Sequence, residues 1–373
     1  MDLELTDDQR LFHETTVRFI ESELPMTAVR ALHDDPVGYD PTWLGRAAEL
    51  GWFAMMVPEE DGGGSISGAG LLDAAIVAEE LGRHMQPGPF LPMNVVANAL
   101  AEYGSPEQRS EILPRIVGGE LVAAWAALDA AGNWDEGRGV SATPVAEGYS
   151  LSGIRGTVQD AQSAGVILVA SHVGRESAQF LVPTSSPGVT IAPLTTLDLS
   201  RRFADVILDD VVVPASAVVG DIGGGNALDR ELEVALVLMC AETIGVIDWM
   251  FNTTVEYSKD RTAFGRPIGS FQSLKHIMAD LGMYVEMAKA GAVAAAHAVQ
   301  SRQEDAAELA SMAAAFIGDV AIMVSQESLQ IHGGIGYTWE HDLHLYMRRA
   351  RSNSLMYGEP GWHRERVCAI HGL

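Results

Sequence analysis

Asp260-Arg261-Thr262-Ala263-Phe264-Gly265-Arg266-Pro267-Ile268-Gly269-Ser270-Phe271-Gln272 separates two long, mostly apolar stretches. Gly265 and Pro267 bend the chain, and the next helix begins near Ser270 with Gln272 in its first turn. Outward from this bend, 227–261 and 270–302 read as long helices. A third, 305–330, follows the polar turn Gln303-Glu304-Asp305. Alanine is dense over 288–298 and 306–315, which allows helices to pack closely. Three to four antiparallel helices with short links make an up-and-down bundle.

Upstream of the bundle the periodicity changes. Tyr149-Ser150-Leu151-Ser152-Gly153, Val166-Ile167-Leu168-Val169-Ala170, Gln179-Phe180-Leu181-Val182 and 204–211 are short alternating or apolar runs, separated by Gly, Pro and Ser. They read as strands of a small antiparallel barrel or sandwich. Residues 3 to about 115 read as helical. Thr6 is a candidate cap of a helix ending near Leu24-Pro25, Pro106 occupies a first helical position, and a further helix runs over 69–82. The Gly-rich loop 58–64 lacks a phosphate-binding signature and reads as a connection. The expected class is α+β, mostly α. The expected domains are a helical 1–118, a β-domain 119–222 and a helical bundle 223–373.

The chain has 373 residues, 47% of them hydrophobic, enough for a large core. A formal charge of −26 disfavours nucleic acid and anionic membranes as partners. That field also repels a polyanionic ester at long range, so such a ligand would need a local cationic patch. Two cysteines, Cys240 and Cys368, give neither a disulfide framework nor a zinc spacing, so no metal is expected and a reducing cytoplasm fits. The polar, acidic N-terminus reads as no signal peptide. The apolar run 234–247 contains Glu242 and reads as a buried helix, too short for a membrane span.

Arg261 ends a long helix, where its guanidinium fork can grip a pyrophosphate or simply pair with a surface acid. A second segment, Gln330-Ile331-His332-Gly333-Gly334-Ile335-Gly336-Tyr337-Thr338-Trp339-Glu340, ends another helix with paired glycines that let a backbone or ligand approach. It leads to a last helix carrying Arg348, Arg349 and Arg351. With Pro58-Glu59-Glu60-Asp61-Gly62-Gly63-Gly64, Glu79-Glu80-Leu81-Gly82 and Tyr103-Gly104-Ser105-Pro106-Glu107-Gln108-Arg109, these segments resemble the acyl-CoA dehydrogenase family along nearly the whole chain. The resemblance implies FAD as cofactor. It assigns Arg261, Phe264 and Gln272 to the pyrophosphate and adenosine, and Gln330, Gly333 and Gly334 to the FAD of a neighbouring subunit. It further implies an acyl-CoA substrate, an electron-transfer partner, and a dimer or tetramer, homo- or heteromeric.

The chain departs from the family where the chemistry lies. One family position for the catalytic glutamate holds Tyr357 and the other holds Ala235. Neither residue abstracts an α-proton at neutral pH. Two carboxylates stand near: Glu242, two turns beyond Ala235, and Glu359, beside Pro360. A buried Glu242 is expected to have a raised pKa, as a base needs, or to be a bonded core acid. Glu359 is read either as a substitute or as a helix-start residue. The stretches over the flavin, Leu128-Asp129-Ala130 and Val158-Gln159-Asp160, lack the family's hydroxyl donors. Three readings follow: a dehydrogenase with Glu242 as base, a partner subunit lacking the base, or a flavin-dependent oxidase or hydroxylase on the same scaffold.

Overall fold

In the computed structural model, residues 5–224 and 226–373 are described. Seven helices come first: α1 (Asp7–Glu23), α2 (Met26–Ala31), α3 (Pro41–Glu49), α4 (Gly70–Arg83), α5 (Phe90–Tyr103), α6 (Pro106–Glu111) and α7 (Leu113–Val117). Thr6 closes a full capping box on α1: its hydroxyl accepts from the Gln9 amide and the Gln9 side chain accepts from the Thr6 amide. Ser105 does the same for α6, with Pro106 at the first helical position.

Eight strands then form one sheet: β1 (Ala123–Ala126), β2 (Val140–Val145), β3 (Gly148–Gln159), β4 (Val166–Val173), β5 (Glu176–Pro183), β6 (Val189–Leu194), β7 (Phe203–Val213) and β8 (Val218–Val219). The order is β6-β7-β3-β2-β4-β5-β8, with β1 paired to β4. Most pairings are antiparallel, as expected. β1 runs parallel to β4 over Ala123–Val166 to Ala126–Val169, and β2 touches β4 in parallel. The sheet is therefore mixed, which corrects the all-antiparallel expectation. The reason is connectivity: the β2–β3 hairpin lies between β1 and β4, and its two reversals return the chain in its original direction. One face of the sheet has its own core of Leu151, Phe180, Val206 and Val211, while Trp125, Leu128 and Phe203 join the main core beneath the helices.

The bundle follows: α8 (Asn226–Asp260), the two-residue strands β9 (Thr262–Ala263) and β10 (Arg266–Pro267), α9 (Gln272–Gln300), α10 (Ala306–His332), α11 (Leu343–Asn353) and α12 (Pro360–Ile370). Where a simple bend was expected over 260–272, β9 and β10 close a small hairpin. The apolar run 234–247 lies inside the 35-residue α8. Both α8 and α10 have the length and hydropathy to cross a bilayer, which corrects the length argument. Within the fold, however, 89% of the apolar window of α8 is buried, and 56% of that of α10.

The helical segments meet backbone to backbone. A Cβ on Gly82 of α4 would lie 2.0 Å from the Glu242 carbonyl oxygen, and one on Gly245 of α8 would lie 1.9 Å from the Glu79 carbonyl oxygen. Only glycine permits this crossing. It fixes the middle of α8 against the N-terminal helices and so sets where its side chains point.

Candidate active site

Glu242 projects from α8 into a buried arginine clamp. Arg349 of α11 donates through Nη1 to Glu242 Oε1 at 2.7 Å, and Arg201, just before β7, donates through Nη2 to Glu242 Oε2. Arg349 also donates to Asp198 Oδ2 at 2.8 Å and to Ser200 Oγ at 2.7 Å, while Arg201 Nη1 donates to Asn353 Oδ1 at 2.7 Å. Burial pushes the Glu242 carboxyl up, but the two guanidinium charges outweigh it and its pKa ends below the ordinary carboxylate value. This overturns the expected upward shift. The cause is two long-range partners on other elements, which the apolar helix around Glu242 did not reveal.

Tyr357, in the α11–α12 connection, is 3% exposed and takes a left-handed backbone at φ 58°. Its ring centroid lies 5.1 Å from that of Trp125 on β1, and Trp125 in turn lies 5.9 Å from Trp134. Burial raises its hydroxyl pKa, so it stays protonated. Ala235 is fully buried in α8. Glu359 is exposed at the N-cap of α12 and makes no side-chain cap bond. Leu128 is buried and its backbone bridges to Trp134. Gln159 donates to the Gly88 carbonyl at 3.2 Å and to Asp160 Oδ2 at 3.1 Å. Burial pushes Asp160 up to about 7.

Sequence reasoning missed Glu231. It lies four residues before Ala235, on the same face of α8, and is wholly buried. Gln179 of β5 donates to its Oε1 at 2.7 Å, and its Oε2 is buried without a partner among the described residues. Burial pushes it up to about 8, eased by Gln179 first and also by Trp125, although the indole N–H does not reach bonding geometry. A carboxylate one helical turn from Ala235, and so on its face of α8, was the available signal.

The residues that the resemblance assigns to the cofactor lie elsewhere, on the surface. Tyr257 stacks on His332 at 4.3 Å, which joins the end of α8 to the end of α10. The segment 260–272 and the segment 330–340 are thereby brought together. Arg261, Gln272, Gln330 and Gly334 are exposed and Gly333 half-buried. Phe264 is 96% exposed at φ 53°, and the Arg266 guanidinium sits 4.1 Å from the Phe271 ring centroid. Gly333 has φ 63°, and a Cβ on Gly333 or Gly334 would meet nothing within 4 Å. Exposed guanidinium groups and open backbone suit a dinucleotide. The inner residues suit a flavin ring less well, since Leu128 offers no side-chain donor and Asp160 is engaged with Gln159.

Residues 6–120 match the acyl-CoA dehydrogenase N-terminal domain and residues 223–370 the acyl-CoA dehydrogenase C-terminal domain. The chain is 33% identical over 358 residues to acyl-CoA dehydrogenase IpdE2 of Mycolicibacterium smegmatis, across 95% of this chain and 96% of that one. The chain belongs to the acyl-CoA dehydrogenase family. It is also 32% identical over 352 residues to acyl-CoA dehydrogenase FadE34 of Mycobacterium tuberculosis, covering 92% of this chain but 45% of that protein. The solved Tcur3481-Tcur3483 steroid ACAD superposes with a TM-score of 0.87 at 26% identity, over 98% of each chain. This family member has the family fold, mostly helical with a central sheet, and FAD is the family's cofactor. The residues that the resemblance assigns to the dinucleotide are of a kind that fits that cofactor; Tyr357 and Ala235, at the positions it assigns to the base, do not suit proton abstraction.

Proposed function

We propose that the chain is the partner subunit of a heteromeric, FAD-dependent acyl-CoA dehydrogenase. It completes a flavin site shared with a second chain and leaves the catalytic base to that chain. One observation carries the reading: both family base positions are filled by buried, non-basic residues, Tyr357 and Ala235. The candidate substitute base, Glu242, is held as an ion pair between Arg201 and Arg349, so its lone pairs are spent on guanidinium groups rather than on a substrate C–H.

Bound FAD supplies hydride acceptance in the α,β-dehydrogenation of an acyl-CoA thioester. This chain's residues bind and orient the cofactor. Arg261 pairs with the pyrophosphate, Phe264 and Gln272 cover the adenosine side, and Gln330, Gly333 and Gly334 present open backbone to a dinucleotide held across the interface. We further assign the chain three domains at 1–118, 119–222 and 223–373, a reducing cytoplasmic setting, and an electron carrier as downstream partner. Two similarities support pairing of unlike chains. The steroid ACAD carries two chain names, and FadE34 leaves more than half its length outside the match, room for a second unit.

The test is a visible absorption spectrum of the chain purified alone, with its mass in solution. Little or no flavin alone, and a yellow complex after co-purification with a partner, is expected. A yellow homo-oligomer that reduces an electron acceptor with acyl-CoA overturns the reading and returns Glu242 to consideration as base.

A further inference from the structure

Resting on the reading that the segment 330–340 faces a dinucleotide, we infer that His33, His332, His341 and His344 are positioning residues for that cofactor. As uncharged imidazoles they pin the strap 333–342 in place, and they loosen it, with the cofactor, when they take up protons.

The four rings come from separate parts of the fold and meet around one strap. His332, the last residue of α10, stacks on Tyr257 of α8 at 4.3 Å. Its Nδ1 donates to the Ser328 carbonyl at 2.8 Å, which leaves Nε2 as a bare acceptor, buried without a partner among the described residues. His341 stands edge-on to His332 at 4.9 Å, and its Nδ1 accepts from the Leu343 amide at 3.1 Å. An amide N–H only donates, so that bond requires Nδ1 without a proton. His344 of α11 meets Trp339 at 4.8 Å, edge to face, and both its nitrogens are buried without partners among the described residues. His33, just past α2, also reaches Trp339, at 6.4 Å. The Arg30–Asp342 ion pair at 2.6 Å ties the end of the strap to α2.

This setting is hostile to a proton. Burial is the largest cause, and all four imidazoles hold protons more weakly than an ordinary histidine. The charge of Arg30 adds to it at His33, His341 and His344, that of Arg348 at His33 and His344, and that of Arg202 at His33. Asp34 beside His33 and Asp342 beside His341 and His344 oppose it, while Glu340 on the strap lies near Arg30. From α8 the neighbour of His332 is the neutral Tyr257 ring. A proton on His341 Nδ1 would set donor against donor at the start of α11. A proton on His332 or His344 would leave a buried charge without an acceptor. Each folded value lies below its unfolded value, so the support these rings give the strap is complete above the unfolded value near 6.5 and is lost as pH falls through the folded ones. Gly333 and Gly334, which offer open backbone to the dinucleotide, move with the strap.

The experiment follows the flavin-loaded complex by hydrogen exchange from pH 7.5 to 5, with rates corrected for exchange in an unstructured chain. Protection of the 333–342 amides should fall at least about tenfold, while 240–250 in α8 keeps its protection. Ultrafiltration should find FAD released over the same range. The pair His341→Asn, whose oxygen still accepts from the Leu343 amide but takes no proton, and His344→Phe should flatten both responses. Unchanged protection in the wild type, opening without loss of FAD, or an undiminished response in the double variant each overturns the inference. If the double variant holds no flavin at pH 7.5, the wild-type profile alone decides. Failure of the cofactor assignment looks different: no assembly holds FAD at pH 7.5, and the inference falls with it. A yellow, active homo-oligomer would sink the partner-subunit reading alone, and the same profile would then be measured on that oligomer.

Discussion

Glu242 and Glu231 lie on one helix, both buried, with opposite proton affinities. Glu242 has two guanidiniums beside it and Glu231 has an amide, so charge decides the first and burial the second. Glu242→Gln leaves Arg201 and Arg349 buried without their shared carboxylate. The expected cost is about 3 kcal/mol of unfolding free energy, within the range for breaking a buried pair. Urea unfolding measures it, and a loss under about 1 kcal/mol would reduce the clamp to the status of a surface ion pair. The pH dependences run in opposite directions. The folded pKa of Glu242 lies below its unfolded value, so its contribution is present above the unfolded value and lost as pH falls through the folded one. Glu231 has a folded value raised to about 8, so its stabilisation is greatest below the unfolded carboxylate value and fades as pH rises toward 8. A Glu231→Gln variant, which cannot ionise, should therefore gain on the wild type between pH 5 and 8 when both are unfolded in urea. Equal slopes would mean that the carboxyl is already ionised at pH 5.

Helix α8 meets α4 at paired glycines, and the contact tolerates no side chain. Gly245→Ala pushes a methyl into the Glu79 carbonyl, and Gly82→Ala into that of Glu242. Each is expected to cost about 3 kcal/mol or more, at the upper end of overpacking penalties, and the two together less than their sum because they open the same crossing. Thermal unfolding checks this; a neutral Gly245→Ala would mean that the helices can separate. At this scale much was legible in the sequence. Thr6, Ser105 and Pro106 marked helix starts because capping is a local interaction, and the apolar spacing over 227–261 marked α8. The parallel partner of β1 was not legible, because alternation fixes which face is buried but not which strand lies beside it. The segments 260–272 and 330–340 were recognisable as motifs, but their adjacency depends on Tyr257 stacking on His332 across two helices. The partners of Glu242 lay on a loop before β7 and on α11, and no spacing within α8 points to either. Glu231 went unread because its significance depends on Gln179 of another strand.

Over the whole molecule, large side chains stand in solvent near the ends of α8 and α10. Phe264, Tyr337 and Trp339 are among them, and the Arg348 guanidinium lies 5.6 Å from the Trp339 ring centroid. Such a surface is the kind that a second chain covers. Pairing should move Trp339 emission to shorter wavelength, and Trp339→Phe should remove most of the shift while leaving the buried tryptophans as a constant background. An unchanged spectrum on assembly would place the interface elsewhere. With a formal charge of −26, two such chains repel each other, which favours a partner of different sequence over a second copy.

The left-handed backbone at Tyr357 has an evolutionary consequence. Regaining a glutamate there takes more than one codon. The new carboxylate would stand against Trp125 in a space shaped for a ring, desolvated by burial, with the Arg201 charge nearby opposed by those of Glu242 and Asp160. Removing the ring first leaves a void under the sheet, and adding the carboxylate first buries a charge whose nearest cation, Arg201, is already bonded to Glu242. Either order passes through a less stable protein; under the partner-subunit proposal, selection on this chain would act on how well it holds its neighbour.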